Sequence, residues 1–164
     1  MNYLWTGLSA KTVANYLLEL ARRDGVPIDP LKLQKLIYLA HGWSLVLLKR
    51  PLVKEAFEAW NYGPVVPSLY KVFQKFGASP ITENAPKEPM ESPYGLDDHT
   101  KSLLDAVWER YKNLNAIQLS MLTHEPGHAW DMTRRSGRTS PWGSPAIPNE
   151  WIENEFIHLQ QQAG

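Results

Sequence analysis

The chain has 164 residues, of which 43% are hydrophobic and 21% charged, and its 17 basic side chains balance 17 acidic ones. A chain of this length and composition can bury one sizeable core, so a wholly disordered protein is excluded and a single domain is expected. It contains no cysteine, which removes disulfides, thiolate zinc sites, iron–sulfur clusters and cysteine nucleophiles.

The first residues, Met1-Asn2-Tyr3-Leu4-Trp5, carry neither a basic run nor an apolar core, so no signal peptide is expected. Ser9 is placed to cap a helix in which Val13, Leu17, Leu20 and Ala21 recur at helical spacing, with Gly25 at its end. Asp29-Pro30 restarts the chain as a cap followed by a proline at the first helical position. Leu33, Leu36, Ile37, Ala40, Trp43 and Leu47 form the stripe of a long, central second helix, and Lys32, Lys35, Tyr38 and His41 occupy its other face. The apolar stretch 36–48 is broken by His41, Gly42 and Ser44 and is too short and too polar to span a bilayer. These features predict a cytoplasmic protein with no membrane contact.

A small β-element is expected near residues 52–60 and 80–83. Asn61-Tyr62-Gly63-Pro64 reads as a turn, and Pro67 opens a third helix bearing Leu69, Val72, Phe73 and Phe76 and ending at Gly77. The proline-rich run 78–95 reads as a surface loop or lid. Asp97 caps a fourth helix, and Asn115 a fifth, with Gln118 completing a capping box. Ala129–Arg135 suggests a sixth, 136–148 a loop, and Asn149 the cap of a last helix with Ile152, Phe156 and Leu159 on one side. The expected fold is mainly α: a compact single-domain bundle of about six to seven helices.

His124-Glu125-Pro126-Gly127-His128 matches H-E-x-x-H, the zinc-protease signature. That chemistry needs both imidazoles on one face of a helix, and Pro126 and Gly127 break the helix between them. The segment therefore reads as a junction between two helices, with Pro126 starting the second, and no metal, cofactor or enzymatic activity is expected. Charge is uneven: residues 1–82 hold ten basic and five acidic groups, residues 83–164 seven and twelve. A solvated surface accounts for this, and a dipolar molecule steering an acidic partner is the sharper reading. The overall neutrality argues against nucleic acid as a partner. Seven tryptophans and seven tyrosines, with Trp60, Tyr62, Trp130, Trp142 and Trp151 outside the clear stripes, predict an exposed aromatic patch suited to protein binding.

Three segments together resemble the Panacea antitoxin-domain family, which includes SocA-like antitoxins and phage-associated relatives. They are Lys32-Leu33-Gln34-Lys35-Leu36-Ile37-Tyr38-Leu39-Ala40-His41-Gly42-Trp43, then Phe57-Glu58-Ala59-Trp60-Asn61-Tyr62-Gly63-Pro64-Val65-Val66-Pro67-Ser68-Leu69-Tyr70, then Leu119-Ser120-Met121-Leu122-Thr123-His124-Glu125 with Gly127 and Trp130. The resemblance covers most of residues 10–135; 136–164 is matched less securely. It implies one domain that neutralises a cognate protein toxin, encoded by the adjacent gene, through direct binding, or that delivers the toxin to a cellular protease. A second copy of the chain is a further candidate partner. Lys35, Tyr38, Trp60, Tyr62, Pro64, His124 and Trp130 lie in the matched segments and are the candidate partner-binding residues. Each also has a scaffold reading, with His124 hydrogen-bonded to a neighbouring helix terminus. A metal-dependent hydrolase using His124, Glu125 and His128, and DNA binding through the first two helices, are the remaining alternatives.

Overall fold

The computed structural model describes residues 5–88, 95–137 and 144–163. Ser9 starts helix α1 (Ala10–Asp24), its Oγ accepting the Lys11 N–H at 3.2 Å, while the Glu55 carboxylate accepts the Ala10 N–H. Gly25 ends the helix in the left-handed region. Asp29 caps α2 (Pro30–Leu47) through the Lys32 N–H. Helix α2 is the axis of the molecule and packs against α1, the hairpin and most later helices. Sixteen of its eighteen residues are buried, so the side carrying Lys32, Lys35, Tyr38 and His41 faces protein rather than water, and Leu47 of the expected apolar stripe is exposed.

Burial of that polar side is tolerated because every member finds an acceptor or donor. Gln34 clamps the Val66 backbone, donating to its carbonyl and accepting its N–H at 2.9 Å. The Lys32 ammonium donates to the Lys112 carbonyl that ends α4 (Asp98–Tyr111). His41 Nδ1 accepts the Val53 N–H, which leaves Nε2 protonated to donate to Asn149 Oδ1 at 2.9 Å. Burial pushes the His41 pKa down to about 4, in keeping with that neutral tautomer.

The β-element is a hairpin, β1 (Glu58–Trp60) against β2 (Gly63–Val65), with Trp60 opposite Gly63. Residues 80–83 form no strand: a single bond joins the Ile81 N–H to the Ile28 carbonyl, because the neighbouring prolines leave no second ladder partner. The described part of the expected lid is fastened down, since Asn15 both donates to and accepts from the Ala85 backbone; 89–94 lie outside the described residues, as do Trp142 and 138–143. The outer edge of β1 is covered by residues 145–147, with the Ala59 N–H donating to the Pro145 carbonyl and the Ile147 N–H to the Phe57 carbonyl.

Helix α3 (Pro67–Phe73) runs into a 3-10 turn that Gly77 ends. Asp97 caps α4 and also pairs with Arg50 at 2.7 Å; burial alone would raise its carboxyl, but the Thr100 N–H and Arg50 bonds outweigh burial and hold it down at about 2. Asn115 and Gln118 form the expected capping box on α5 (Ala116–Thr123). Helix α6 (Ala129–Arg135) is capped at His128, so Pro126 lies in the preceding turn instead of starting the helix. In α7 (Asn149–Ala163) the first residue, Asn149, spends its side chain on His41 rather than on its own helix. Phe156 packs edge-on to Tyr38 and Trp43, and Gly42 makes room for it: a Cβ at Gly42 would lie 2.2 Å from the ring. No helix among the described residues is long and apolar enough to cross a membrane.

Candidate functional site

Six of the seven candidate residues meet around the β1–β2 hairpin, and Tyr38 lies on the same helix one turn beyond Lys35. Lys35 is fully buried, and its ammonium donates to the Pro64 carbonyl at 2.8 Å. No carboxylate accompanies it among the described residues, so burial lowers its pKa to about 7. Gly63, at φ 111°, permits this approach: a Cβ there would stand 2.7 Å from Lys35 Cε and 3.1 Å from Thr123 Oγ1. Pro64 is buried with it.

On the other side of the hairpin, Trp130 Nε1 donates to the Trp60 carbonyl at 2.7 Å, and Arg134 donates to the Ala59 carbonyl and the Asn61 side chain. His124 ends α5, its Nδ1 bonding the Ser120 carbonyl of its own helix rather than a neighbouring helix and its Nε2 lying 3.4 Å from the Asn61 carbonyl of the hairpin turn, while its ring lies 3.9 Å from that of Trp130. Trp60 meets Tyr70 edge to face at 5.1 Å. Tyr62 alone of the seven is fully presented, 74% exposed at the tip of the hairpin, with its carbonyl held by Ser120 Oγ. Lys35 and Pro64 thus fix the hairpin's inner side, Trp130, His124 and Arg134 hold its flank, and the hairpin presents Tyr62 at its tip.

Tyr38 belongs to a second cluster. Its hydroxyl donates to Glu155 Oε2 at 2.5 Å, and the Ala129 N–H reaches the same oxygen at 3.4 Å. The other carboxylate oxygen stands 3.1 Å from His128 Nδ1, an ion-pair distance without good hydrogen-bond alignment. Glu155 raises the His128 pKa and, after burial, that of Tyr38. The two histidines of the H-E-x-x-H match therefore serve different partners, His124 the hairpin and His128 the last helix. No group of three or more metal-ligating side chains converges among the described residues.

Sequence reasoning missed Glu155, although it lies on the Ile152, Phe156, Leu159 stripe and is the acid there. It also missed the exposed apolar face of α5, where Ile117 and Met121 are 71% and 67% exposed and Leu122 is 40% exposed. The signal was available: the core takes Leu119, and Ile117 and Met121, four residues apart, fall on the far side of the helix. Leu122 and Met132 lead from this face into a cleft of about 710 Å³ between the 125–128 turn and α7. Trp43, Tyr111 and Trp151 line it, with His128 and Glu155 also at its wall.

The arrangement offers a shaped surface with exposed apolar side chains on α5, beneath which Lys35, Tyr38 and Glu155 are already engaged. Comparison with known proteins places it in a family. Residues 33–131 match the family model described as "Antitoxin SocA-like, Panacea domain". The chain is 37% identical over 155 residues to Antitoxin SocA of Caulobacter vibrioides (strain NA1000 / CB15N), an alignment that covers 91% of this chain and 82% of that protein. No solved structure matches significantly. The matched residues span α2, the hairpin and the α5–α6 junction, the same elements that assemble the surface around Tyr62, and the chain belongs to the SocA-like, Panacea-domain antitoxin family.

Proposed function

We propose that the chain is a cytoplasmic antitoxin that neutralises a protein toxin encoded beside it, by binding the toxin directly and without chemistry of its own. Family membership supports the antitoxin role. The observation that carries direct binding is the exposed apolar face of α5, with Tyr62 beside it. Exposed apolar side chains clustered on one short helix are a mark of protein–protein contact, and a large aromatic at their margin supplies contact area at low entropic cost. Tyr62 is the contact residue of the candidate set in this reading. Lys35, Pro64, Trp60, His124 and Trp130 shape the hairpin that presents it, and Tyr38 ties α2 to the α6–α7 side of the same surface.

Co-expression with the product of the neighbouring reading frame tests this. Restored growth, a complex that co-elutes on gel filtration and an unchanged toxin half-life are expected. Absence of both rescue and complex overturns the reading. A toxin half-life that shortens only when this chain and a cellular protease are both present would instead make it a delivery adaptor.

A further inference from the structure

The cleft beside α5 contains one cation with nothing to neutralise it. Arg110 projects from α4 with its guanidinium 5.6 Å from the Trp43 ring and 5.4 Å from that of Tyr111, and among the described residues it makes no ion pair or hydrogen bond. Arg110 is exposed, and these cation–π contacts leave its N–H groups accessible to a bidentate acceptor. The other charged groups that line the cleft differ in this respect. Glu155 is engaged by Tyr38, Ala129 and His128. Glu125 is exposed beside His128, whose pKa it helps to raise. Leu39, Trp43, Trp151 and Leu159 give the cleft an apolar and aromatic wall, to which Asn154, His158 and Gln162 of α7 add polar side chains. The cleft is continuous with exposed α5 through Leu122, and Met132 lies at its mouth.

We infer that this cleft docks a segment of the toxin that carries apolar side chains and one carboxylate, the carboxylate pairing with Arg110. The inference rests on direct toxin binding and deepens it by naming where the toxin sits and what chemistry it brings. Charge selects the occupant: an unpaired arginine on a hydrophobic wall favours an acid flanked by apolar groups, and Glu125 repels a segment that is acidic throughout.

The test uses the full-length chain co-expressed with the neighbouring gene product, with a photo-crosslinking phenylalanine derivative placed at position 122 or 132. The crosslinked toxin peptide is expected to contain an Asp or Glu among apolar residues. Arg110→Glu is expected to weaken the complex by about 10- to 100-fold. Arg110→Lys, which keeps the charge but not the planar fork, should weaken it less, and changing the mapped toxin acid to Lys should restore binding to Arg110→Glu. Wild-type binding that yields no crosslink from either position, or that Arg110→Glu leaves unchanged, overturns the cleft while direct binding stands. Crosslinks between two copies of this chain also overturn it and assign the face to self-association. Failure of the wild-type chain to bind overturns both readings together. Should Arg110→Glu not fold, the crosslink map and Arg110→Lys decide the matter.

Discussion

Helix α2 hides Lys35, Tyr38 and His41 from water, whereas α5 leaves Ile117 and Met121 more than half bare. The two helices invert the usual placement of polar and apolar groups, and they do so for opposite reasons. In α2 the buried polar atoms are each given to a distant piece of chain: Lys35 to Pro64, Gln34 to Val66, His41 to Val53 and Asn149, Tyr38 to Glu155. They cost desolvation and return a unique arrangement, because an alternative packing would orphan them. In α5 the apolar atoms are given to nothing inside the described molecule. The interior polar set specifies the shape, and the exterior apolar set is available for use.

The largest effect is expected from Glu155→Ala. It strips an acceptor from Tyr38 and Ala129 and the facing carboxylate from His128, and leaves a void, so unfolding in urea should show a loss of about 3 kcal/mol. A loss below about 1 kcal/mol would break the view that the buried polar set holds the shape.

The next test is titration. The folded pKa of Lys35 is lowered to about 7 from 10.5, so the unfolded chain binds more protons between those values and stability should rise with pH across that window. His41, lowered to about 4 from 6.5, adds the same sign below neutrality: stability falls as the pH drops from 6.5 toward 4. Lys35→Met should flatten the upper limb, whose slope is at most about 1.4 kcal/mol per pH unit for one proton, while His41 keeps the lower one. Denaturation midpoints at pH 5, 7 and 9 read both.

The smallest effect on stability is expected where the effect on function is large. Replacing Ile117 and Met121 together by Lys should alter unfolding free energy by no more than about 0.5 kcal/mol per site, since neither is packed, yet should abolish rescue of a toxin-expressing host. Retained rescue would show that the bare face is not the one that binds.

What could be foreseen from residues alone follows distance along the chain. Ser9, Asp29-Pro30, Asp97 and the Asn115/Gln118 box act within three residues, and each lies where its chemistry predicts. The polar side of α2 could be placed on its own face by periodicity, but its partners could not be named, because they stand 12 to 117 residues away. Asn149 has the chemistry of a cap, but His41 outcompetes the helix for it. Pro126 suits a first helical position, but the Glu125–Gly127 stretch is used to turn the chain so that His128 can reach Glu155. The family segments pointed to the hairpin; which of its residues face outward depended on Lys35 and Trp130 gripping it from both sides, a matter of packing and not of spacing.

The bond between Tyr38 and Glu155 joins residues 117 positions apart. At about 5–20 residues added per second, a ribosome needs roughly 6–23 s to supply the second after the first. Throughout that interval the nascent second helix carries its hydroxyl, and the hairpin its open strand edge, without their final companions. An mRNA cut short before codon 155 would therefore yield a product that cannot complete its own interior, which ties the protective capacity of each polypeptide to the last stage of its translation.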